Sequence, residues 1–459
     1  MFRKISVAVF SVLLVALGWL TIAPPDLIRV GANYAAKMIC SNVVLAGRDP
    51  KEVLENDVQA PGHPLLKLIR FSIDQRGEMT VVRTGLFGFI GKGLAFGNEA
   101  RGCTVVPDPR MLGFAGATEG FKPPTKNLNQ GQWPQGNDVE PGDNLELEAV
   151  LNDATLTGPG MRAIVVVKDG KIIGERYGAG FDETTRLMGW SMAKTVTAAL
   201  VGVASRKGLL NIDDRAQFEG WDGDARRAIR LNDLMSMSSD LTWNEGYGSV
   251  SDVTRMLYLE GDMAAFVATK PIDDATPEPT GDVFAYSSGS SMLVSRILQN
   301  AIGDAKAASA FPSDVLFEPL SMDSAVMETD ASGTLTGSSY MYATARDWAR
   351  FGQLLLQRGA WNGRSLLPSG YVDWMSEEHP ASGGEYGRGS VWLAPPGEHR
   401  PEARVSDLPE GTLWLGGHDG QSIAVIPSEG IVVVRLGLTP KNQQYKPGLL
   451  SQSIVQALR

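Results

Sequence analysis

Apolar and small residues return at helical spacing from Met192 to Gly208. Met192, Val196, Ala199, Leu200 and Val203 fall on one face, which predicts a helix with one buried stripe. Upstream, the β-rich runs Ala163–Val167 and Lys171–Tyr177 are joined through Asp169-Gly170, a strong hairpin signal. Residues 209–360 carry mostly helical patterns: Leu231–Met237, Val253–Leu259, Ala264–Thr269, Ser291–Ala301 and Tyr342–Leu356. Short strand-like runs follow at Gly389–Leu393, Thr412–Leu415, Ser422–Ile426 and Ile431–Leu436, and a last helix is expected at Leu449–Leu458. Strands at both ends with helices between them predict an α+β domain over 144–459. Its sheet is assembled from N- and C-terminal pieces and flanked by helices, with a helical insertion over about 209–360. The site is expected in the cleft between sheet and helices.

The patterning before residue 144 divides differently. After Arg3-Lys4 the chain stays uncharged from Ile5 to Pro25. A basic start before an apolar run marks an export signal, and the run is close to the length of a membrane span. Pro24-Pro25 follow Thr21-Ile22-Ala23 and spoil a cleavage site, so residues 1–25 read as an uncleaved anchor in preference to a cleaved signal peptide. The preceding cations put the body of the protein outside the cytoplasm, periplasmic or membrane-anchored. Residues 26–115 read as a small unit with a helical start at Ala32–Cys40 and strand-like pieces at Met79–Val82 and Cys103–Val106. Residues 116–143 are rich in Gly, Pro, Asn and Gln, and read as a linker or a loop wrapped over the next domain.

Composition narrows the functions. The 459 residues are 43% hydrophobic and 20% charged, as in an ordinary folded protein. A net charge of −10 argues against a nucleic-acid surface. The two cysteines, Cys40 and Cys103, are expected to pair as a disulfide in an exported protein. His63, His379, His399 and His418 show no ligand spacing, so neither metal nor cofactor is expected. Membrane contact is expected through the N-terminal segment only, and the oligomeric state is left open.

Three stretches could carry chemistry. In Trp190-Ser-Met-Ala-Lys194, Ser191 stands at the first turn of the predicted helix and Lys194 one turn later on the same side. The helix dipole and partial burial both disfavour a cation there, so the amine can lose its proton near neutral pH and act as base to the serine. In Phe284-Ala-Tyr-Ser-Ser-Gly289, Tyr286 can shuttle a proton between nucleophile and leaving group. In Gly416-Gly-His-Asp-Gly-Gln421, glycines flanking His418 let a strand approach a substrate and offer an N–H to an oxyanion. Singly each is weak, the first being equally a helix start with an exposed lysine.

Together and in this order, the three resemble the serine β-lactamase and penicillin-binding-protein superfamily, whose signature begins with S-x-x-K. They look most like its class C-related branch of esterases and 6-aminohexanoate-dimer hydrolase-like amidases, over roughly residues 145–440. Leu234–Ser239 and Ser339–Trp348 join the likeness. The resemblance implies a β-lactamase/transpeptidase-like fold, Ser191 as acylated nucleophile, Lys194 as its activator and Tyr286 as general acid/base. It also implies an oxyanion hole from the backbone N–H groups of Ser191 and Gln421, with Ser288, His418 and Gly420 facing substrate. Ser288 stands where the family has asparagine, and His418-Asp419 stand where it has Lys-Thr. A histidine beside an aspartate is a poor substitute for the permanent cation that holds a β-lactam carboxylate. The expected reaction is therefore hydrolysis of a small-molecule ester or amide through an acyl-enzyme. β-Lactamase or D-alanyl peptidase activity, or an inactive ligand-binding member of the fold, are the alternatives. An α/β-hydrolase triad is disfavoured because Ala193 replaces the second glycine of G-x-S-x-G. Trp243, Tyr247 and Trp392 are candidate cleft walls.

Overall fold

The computed structural model describes residues 18–108, 110, 120–123, 131–140, 142–272, 281–398 and 406–459. Most of the N-terminal apolar run and part of the 116–143 stretch therefore lie outside the described residues. Among the described residues, no helix is long and apolar enough to cross a membrane. The chain forms two compact units.

The first unit comprises Met1–Ala117 together with Asn244–Phe266 and Thr329–Gly333. The sequence places those last two segments in the hydrolase domain, so the unit is discontinuous in a way the patterning does not reveal. Helix Asp26–Ala46 packs on an antiparallel meander of four strands, β1 (Ile69–Arg76), β2 (Met79–Leu86), β3 (Ile90–Asn98) and β4 (Gly102–Val105), in that order. A disulfide joins Cys40 of the helix to Cys103 of β4, the pairing expected from the sequence. Buried Lys37 donates to the Cys103 carbonyl at 2.5 Å. The polar groups of this helix also recruit the distant segments. Asn33 accepts from Leu94 N–H and donates to the carbonyl of Tyr258, in helix Asp252–Leu259. Buried Arg101 reaches Thr104 and Thr329. A buried polar side chain needs such partners, and here they come from residues more than two hundred positions away.

The second unit, 118–243, 267–328 and 334–459, is built on a five-stranded antiparallel sheet. Its hairpin β5 (Met161–Lys168) and β6 (Lys171–Tyr177) pairs with three C-terminal strands, in the order β12-β13-β14-β5-β6. These three are β12 (Leu413–Gly417), β13 (Gln421–Ile426) and β14 (Ile431–Gly437). The continuous apolar run in β5 reflects burial on both faces. Ile164 and Val166 pack with Leu147 and Leu151 of helix Leu145–Asn152 and with Leu450, Ile454 and Val455 of helix Pro447–Ala457. Helix Ala345–Leu356 covers the opposite face. The architecture is α+β, as the sequence predicts. A small sheet of β7 (Leu187–Met188), β9 (Met341–Ala343) and β8 (Val326–Met327) leads into helix Met192–Arg206. A short hairpin, β10 (Ala360–Trp361) and β11 (Arg364–Ser365), lies after helix Ala345–Leu356.

Two local expectations change. Tyr342 is in β9, and the helix expected to begin there starts at Ala345, where Thr344 caps it by accepting from Asp347 N–H. Gly389–Leu393 is not a regular strand; Trp392 forms isolated bridges to Trp414 and to Tyr386. The described part of the glycine-rich stretch is a loop wrapped over helix Ala345–Leu356. Arg350 donates to the carbonyls of Pro134 and Gly136, and its guanidinium lies 5.8 Å from the Trp133 ring.

Candidate active site

The turn that presents Ser191 is built by steric exclusion. Gly189 donates to the Met341 carbonyl at 2.9 Å, and a Cβ on it would fall 2.3 Å from the Trp348 ring. Trp190 then adopts a left-handed conformation (φ 50°), an expensive one for a bulky residue. Its buried ring is held between Tyr340 at 6.2 Å and His418 at 5.5 Å between centroids. The strained residue sets Ser191 at the start of helix Met192–Arg206. Among the described residues no acceptor takes the Ser191 main-chain N–H, which leaves it available.

Lys194 follows one turn later and is only 2% exposed. Its Nζ lies 2.9 Å from Ser191 Oγ, 3.0 Å from Ser288 Oγ and 2.9 Å from the Ser338 carbonyl. These three oxygens are neutral. The Ser338 carbonyl can only accept, whereas either hydroxyl can donate. Nζ is within hydrogen-bond distance of all three, the Ser191 hydroxyl included. That is the geometry of a base beside a nucleophile.

Tyr286 and Ser288 are brought in by the entry to helix Ser288–Ile302. Ser287 caps that helix by accepting from Ser290 N–H, and Ala285 N–H bonds to the Met237 carbonyl at 2.8 Å. The Tyr286 ring centroid lies 5.0 Å from Lys194 Nζ. The ring also stacks on Trp392 at 5.2 Å, with Tyr386 and Phe284 completing an aromatic cluster. Of the expected cleft walls, Trp392 is in this cluster and Trp243 packs behind Gly289, while Tyr247 belongs to the first unit.

The third stretch joins edge strand β12 to β13. A Cβ on Gly417 would fall 2.2 Å from the Gly189 carbonyl, so the strand can approach the serine turn only with glycine there. His418 meets Trp190, and its Nε2 is 3.4 Å from Asp419 Oδ1. Asp419 and Gly420 turn left-handed (φ 57° and 84°). Gln421 opposes Gly417 in the ladder, and its buried side chain braces the turn. It donates to the His418 and Gly437 carbonyls and accepts from Gly437 N–H. Buried Arg435 of β14 donates to the Gly420 carbonyl at 3.0 Å. Burial lowers this guanidinium from its ordinary value to about 10, still charged at neutral pH.

The structure thus brings Ser191, Lys194, Tyr286 and Ser288 together. It sets the His418–Gln421 turn beside them through the Trp190–His418 and Gly189–Gly417 contacts. Residues 154–447 match the family model described as Beta-lactamase. The chain belongs to the β-lactamase family. Family and fold together indicate a hydrolase of the β-lactamase fold. No curated protein matches the sequence significantly. Among solved structures, it is similar to a Bacillus anthracis protein provisionally assigned as a 6-aminohexanoate-dimer hydrolase. That match has 22% identity and a TM-score of 0.53, over 65% of this chain and 78% of that one. A provisionally assigned β-lactamase from Bacteroides dorei aligns at 20% identity and TM-score 0.54, over 69% and 99% of the two chains. A family VIII carboxylesterase aligns at 12% identity and TM-score 0.53, over 70% and 98%. Likeness at this level concerns the fold.

Sequence reasoning passes over three participants. The Ser338 carbonyl is a main-chain atom with no signature. Tyr340 lies in the Ser339–Trp348 stretch but is given no role of its own there, and Arg435 interrupts an apolar strand. An arginine in the middle of Ile431–Gly437, where every position is buried, is the one signal that could have been used.

Proposed function

We propose that this member of the β-lactamase family cleaves an ester or amide bond of a small substrate through an acyl-enzyme on Ser191. The observation that carries the reading is buried Lys194, with its Nζ 2.9 Å from the serine hydroxyl. Ser191 Oγ attacks the acyl carbon while its proton passes to the neutral lysine. The oxyanion so formed is received by the Ser191 and Gln421 N–H groups. Collapse breaks the bond to the alcohol or amine, which leaves with a proton delivered through Tyr286. Water then attacks the ester, and the steps reverse to release the acid. The Phe284, Tyr286, Tyr386 and Trp392 cluster suits an apolar acyl or leaving group, with Ser288, His418 and Gly420 as polar contacts. With His418-Asp419 at the third element, esters and amides are better substrates than β-lactams. Labelling with a fluorophosphonate, followed by a panel of p-nitrophenyl esters, ω-amino-acid amides, D-alanyl peptides and a chromogenic cephalosporin, tests this. Labelling should disappear in Ser191→Ala, and esters or amides should turn over fastest. Labelling that persists in Ser191→Ala, or a preference for the cephalosporin, refutes the reading.

We also propose that the protein acts outside the cytoplasm, anchored by its N-terminal segment. The Arg3-Lys4 start, the uncharged run to Pro25 and the exposed Trp19 and Ile22 support this, as does the Cys40–Cys103 disulfide. Cell fractionation with an alkaline wash tests it; recovery in the soluble cytoplasmic fraction refutes it.

A further inference from the structure

The turn between β2 and β3 in the first unit presents two aromatic side chains to water. Phe87 is 55% exposed and Phe89 46% exposed, on either side of Gly88. Phe89 N–H bonds to the Leu86 carbonyl across the turn. Both central residues are left-handed, Phe87 at φ 53° and Gly88 at φ 90°. That backbone suits Asn-Gly or Asp-Gly and is costly for a bulky residue. Phe87 thus stands where local conformation and hydration both favour a polar side chain, and with over half its surface in water, packing does not explain it.

The place of the turn in the unit gives the aromatics a use. A Cβ on Gly91 would fall 2.4 Å from Ile28 Cγ2, and one on Gly93 2.5 Å from the Ala32 carbonyl carbon. Two strand residues span about 7 Å and four helical residues about 6 Å, so β3 runs along helix Asp26–Ala46 in the same direction. Followed backwards from that contact, the chain reaches Gly88 after about 7–10 Å, whereas the helix begins only about 3 Å before Ile28. The turn therefore projects past Asp26, at the end of the unit that continues into the uncharged run Ile5–Pro25. Trp19 and Ile22 of that run are exposed. Cations border the turn. Arg70 Cβ lies 3.7 Å from a Cβ placed on Gly88, Phe87 N–H bonds to the Leu68 carbonyl beside Lys67, and Lys92 follows Phe89 by three residues. All three cations are exposed.

We propose that the Phe87-Gly88-Phe89 turn is a second membrane contact: its aromatics enter the interface of the bilayer while Lys67, Arg70 and Lys92 meet anionic headgroups. Aromatic side chains sit well at the headgroup level, and neighbouring cations add attraction to an anionic leaflet. The inference rests on the membrane-anchored reading above. It adds that the first unit is held against the lipid surface at two points, the N-terminal segment and this turn.

The test uses the full-length chain in vesicles of phosphatidylcholine and phosphatidylglycerol. The two cysteines of the sequence are joined to each other, so one introduced cysteine takes an environment-sensitive nitrobenzoxadiazole label. Phe89→Cys reports on the turn. Glu78→Cys, exposed between β1 and β2 at the other end of β2, is the reference. The label at position 89 should be blue-shifted and quenched by lipids brominated in their acyl chains, and the label at 78 should stay solvated. Adding Phe87→Asn, which suits the left-handed backbone, should weaken the quenching at 89 several-fold, as should vesicles of phosphatidylcholine alone at low salt. Quenching that neither change alters overturns the proposed contact. If the added cysteine disturbs the native pairing, wild-type protein is irradiated with a diazirine-bearing lipid and digested. Cross-links in the peptide holding Phe87–Lys92 are expected, and cross-links confined to residues 1–25 overturn the proposal. Protein that does not float with the vesicles overturns the anchoring and this inference with it. Protein that floats while position 89 is as solvated as position 78 overturns this inference alone, and leaves the aromatics to a protein partner.

Discussion

Replacing Lys194 by methionine separates the chemistry of the site from its packing. Methionine is close to the lysine stem in volume and fills the same channel, so no large cavity opens. The Ser338 carbonyl loses the Lys194 donor, at about 1–3 kcal/mol for a buried group left unsatisfied, and the Ser288 hydroxyl loses one bond. Ser288 Oγ can rotate to a new partner, and the desolvation of a buried amine is relieved at the same time, so the opposing terms largely cancel. Net stability should change by no more than about 2 kcal/mol. Catalysis has no such compensation. Loss of a positioned base costs about 10²–10⁴-fold, or about 2.7–5.4 kcal/mol of barrier at 1.36 kcal/mol per decade. The assay is kcat/KM on a p-nitrophenyl ester together with a thermal melt of the same preparation. A Lys194→Met protein that melts normally and still turns over within tenfold of wild type refutes lysine as the base. A protein that fails to fold shows that Lys194 holds the Ser338 and Ser288 segments together, a role the packing does not indicate.

Three further outcomes follow from the geometry. Tyr286→Phe keeps the ring stacked on Trp392 and removes only the hydroxyl, so folding should be unchanged while acylation and deacylation both slow by about 10²-fold or more in stopped-flow measurements; equal rates remove Tyr286 from the mechanism. Gly417→Ala puts a methyl 2.2 Å from the Gly189 carbonyl and must push β12 from the serine turn, with about 1–3 kcal/mol lost in stability and most of the ester turnover lost with it; normal kinetics would show that the strand need not approach so closely. His379 is buried with its Nδ1 unpartnered among the described residues, and burial, aided by Arg388, holds its pKa below the ordinary 6.5. The unfolded chain accepts that proton at about pH 6.5 while the fold resists it, so stability is full above this pH and falls as pH drops from there through the folded value; melts between about pH 8 and pH 5 should fall more steeply for wild type than for His379→Phe, and parallel curves exclude the histidine as the cause.

Much of the second unit is legible because its signals are local. Asp169-Gly170 marks a hairpin wherever it stands between alternating runs, and Met192–Val203 spells one helical face. The S-x-x-K spacing places Lys194 beside Ser191 by helix geometry alone, whatever surrounds them. The three stretches announce one site only through their resemblance to a family, since nothing local says that Tyr286 and His418 meet Ser191. The signals that fail are those whose meaning depends on a distant partner. Val253–Leu259 reads as an amphipathic helix, but periodicity cannot say that its partner is Asn33. Gly389–Leu393 has strand composition, yet its backbone bonds go mostly to a nearby turn, because only Trp392 meets Trp414. At Tyr342 the helical period overran a Thr344-x-x-Asp347 start signal that would have placed the boundary. Arg435 was absorbed into a hydrophobic run, where a single polar residue leaves the period unchanged.

The discontinuity of the first unit has a consequence for its synthesis. Its helix and four strands have all been made once the ribosome has passed Val105, and Cys40 and Cys103 can meet then. The groups that satisfy Asn33 and Arg101, the Tyr258 carbonyl and Thr329, have not yet been made. At about 5–20 residues per second, the roughly 230 residues between Cys103 and Gly333 take on the order of 10–45 seconds. For that interval the nascent unit has its sulfur link and the Lys37–Cys103 and Asn33–Leu94 bonds, but not the Tyr258 and Thr329 partners of Asn33 and Arg101. Cutting the gene near residue 115 would make the same incomplete object permanent, so a fragment ending there is expected to be a poor mimic of the unit in the whole protein.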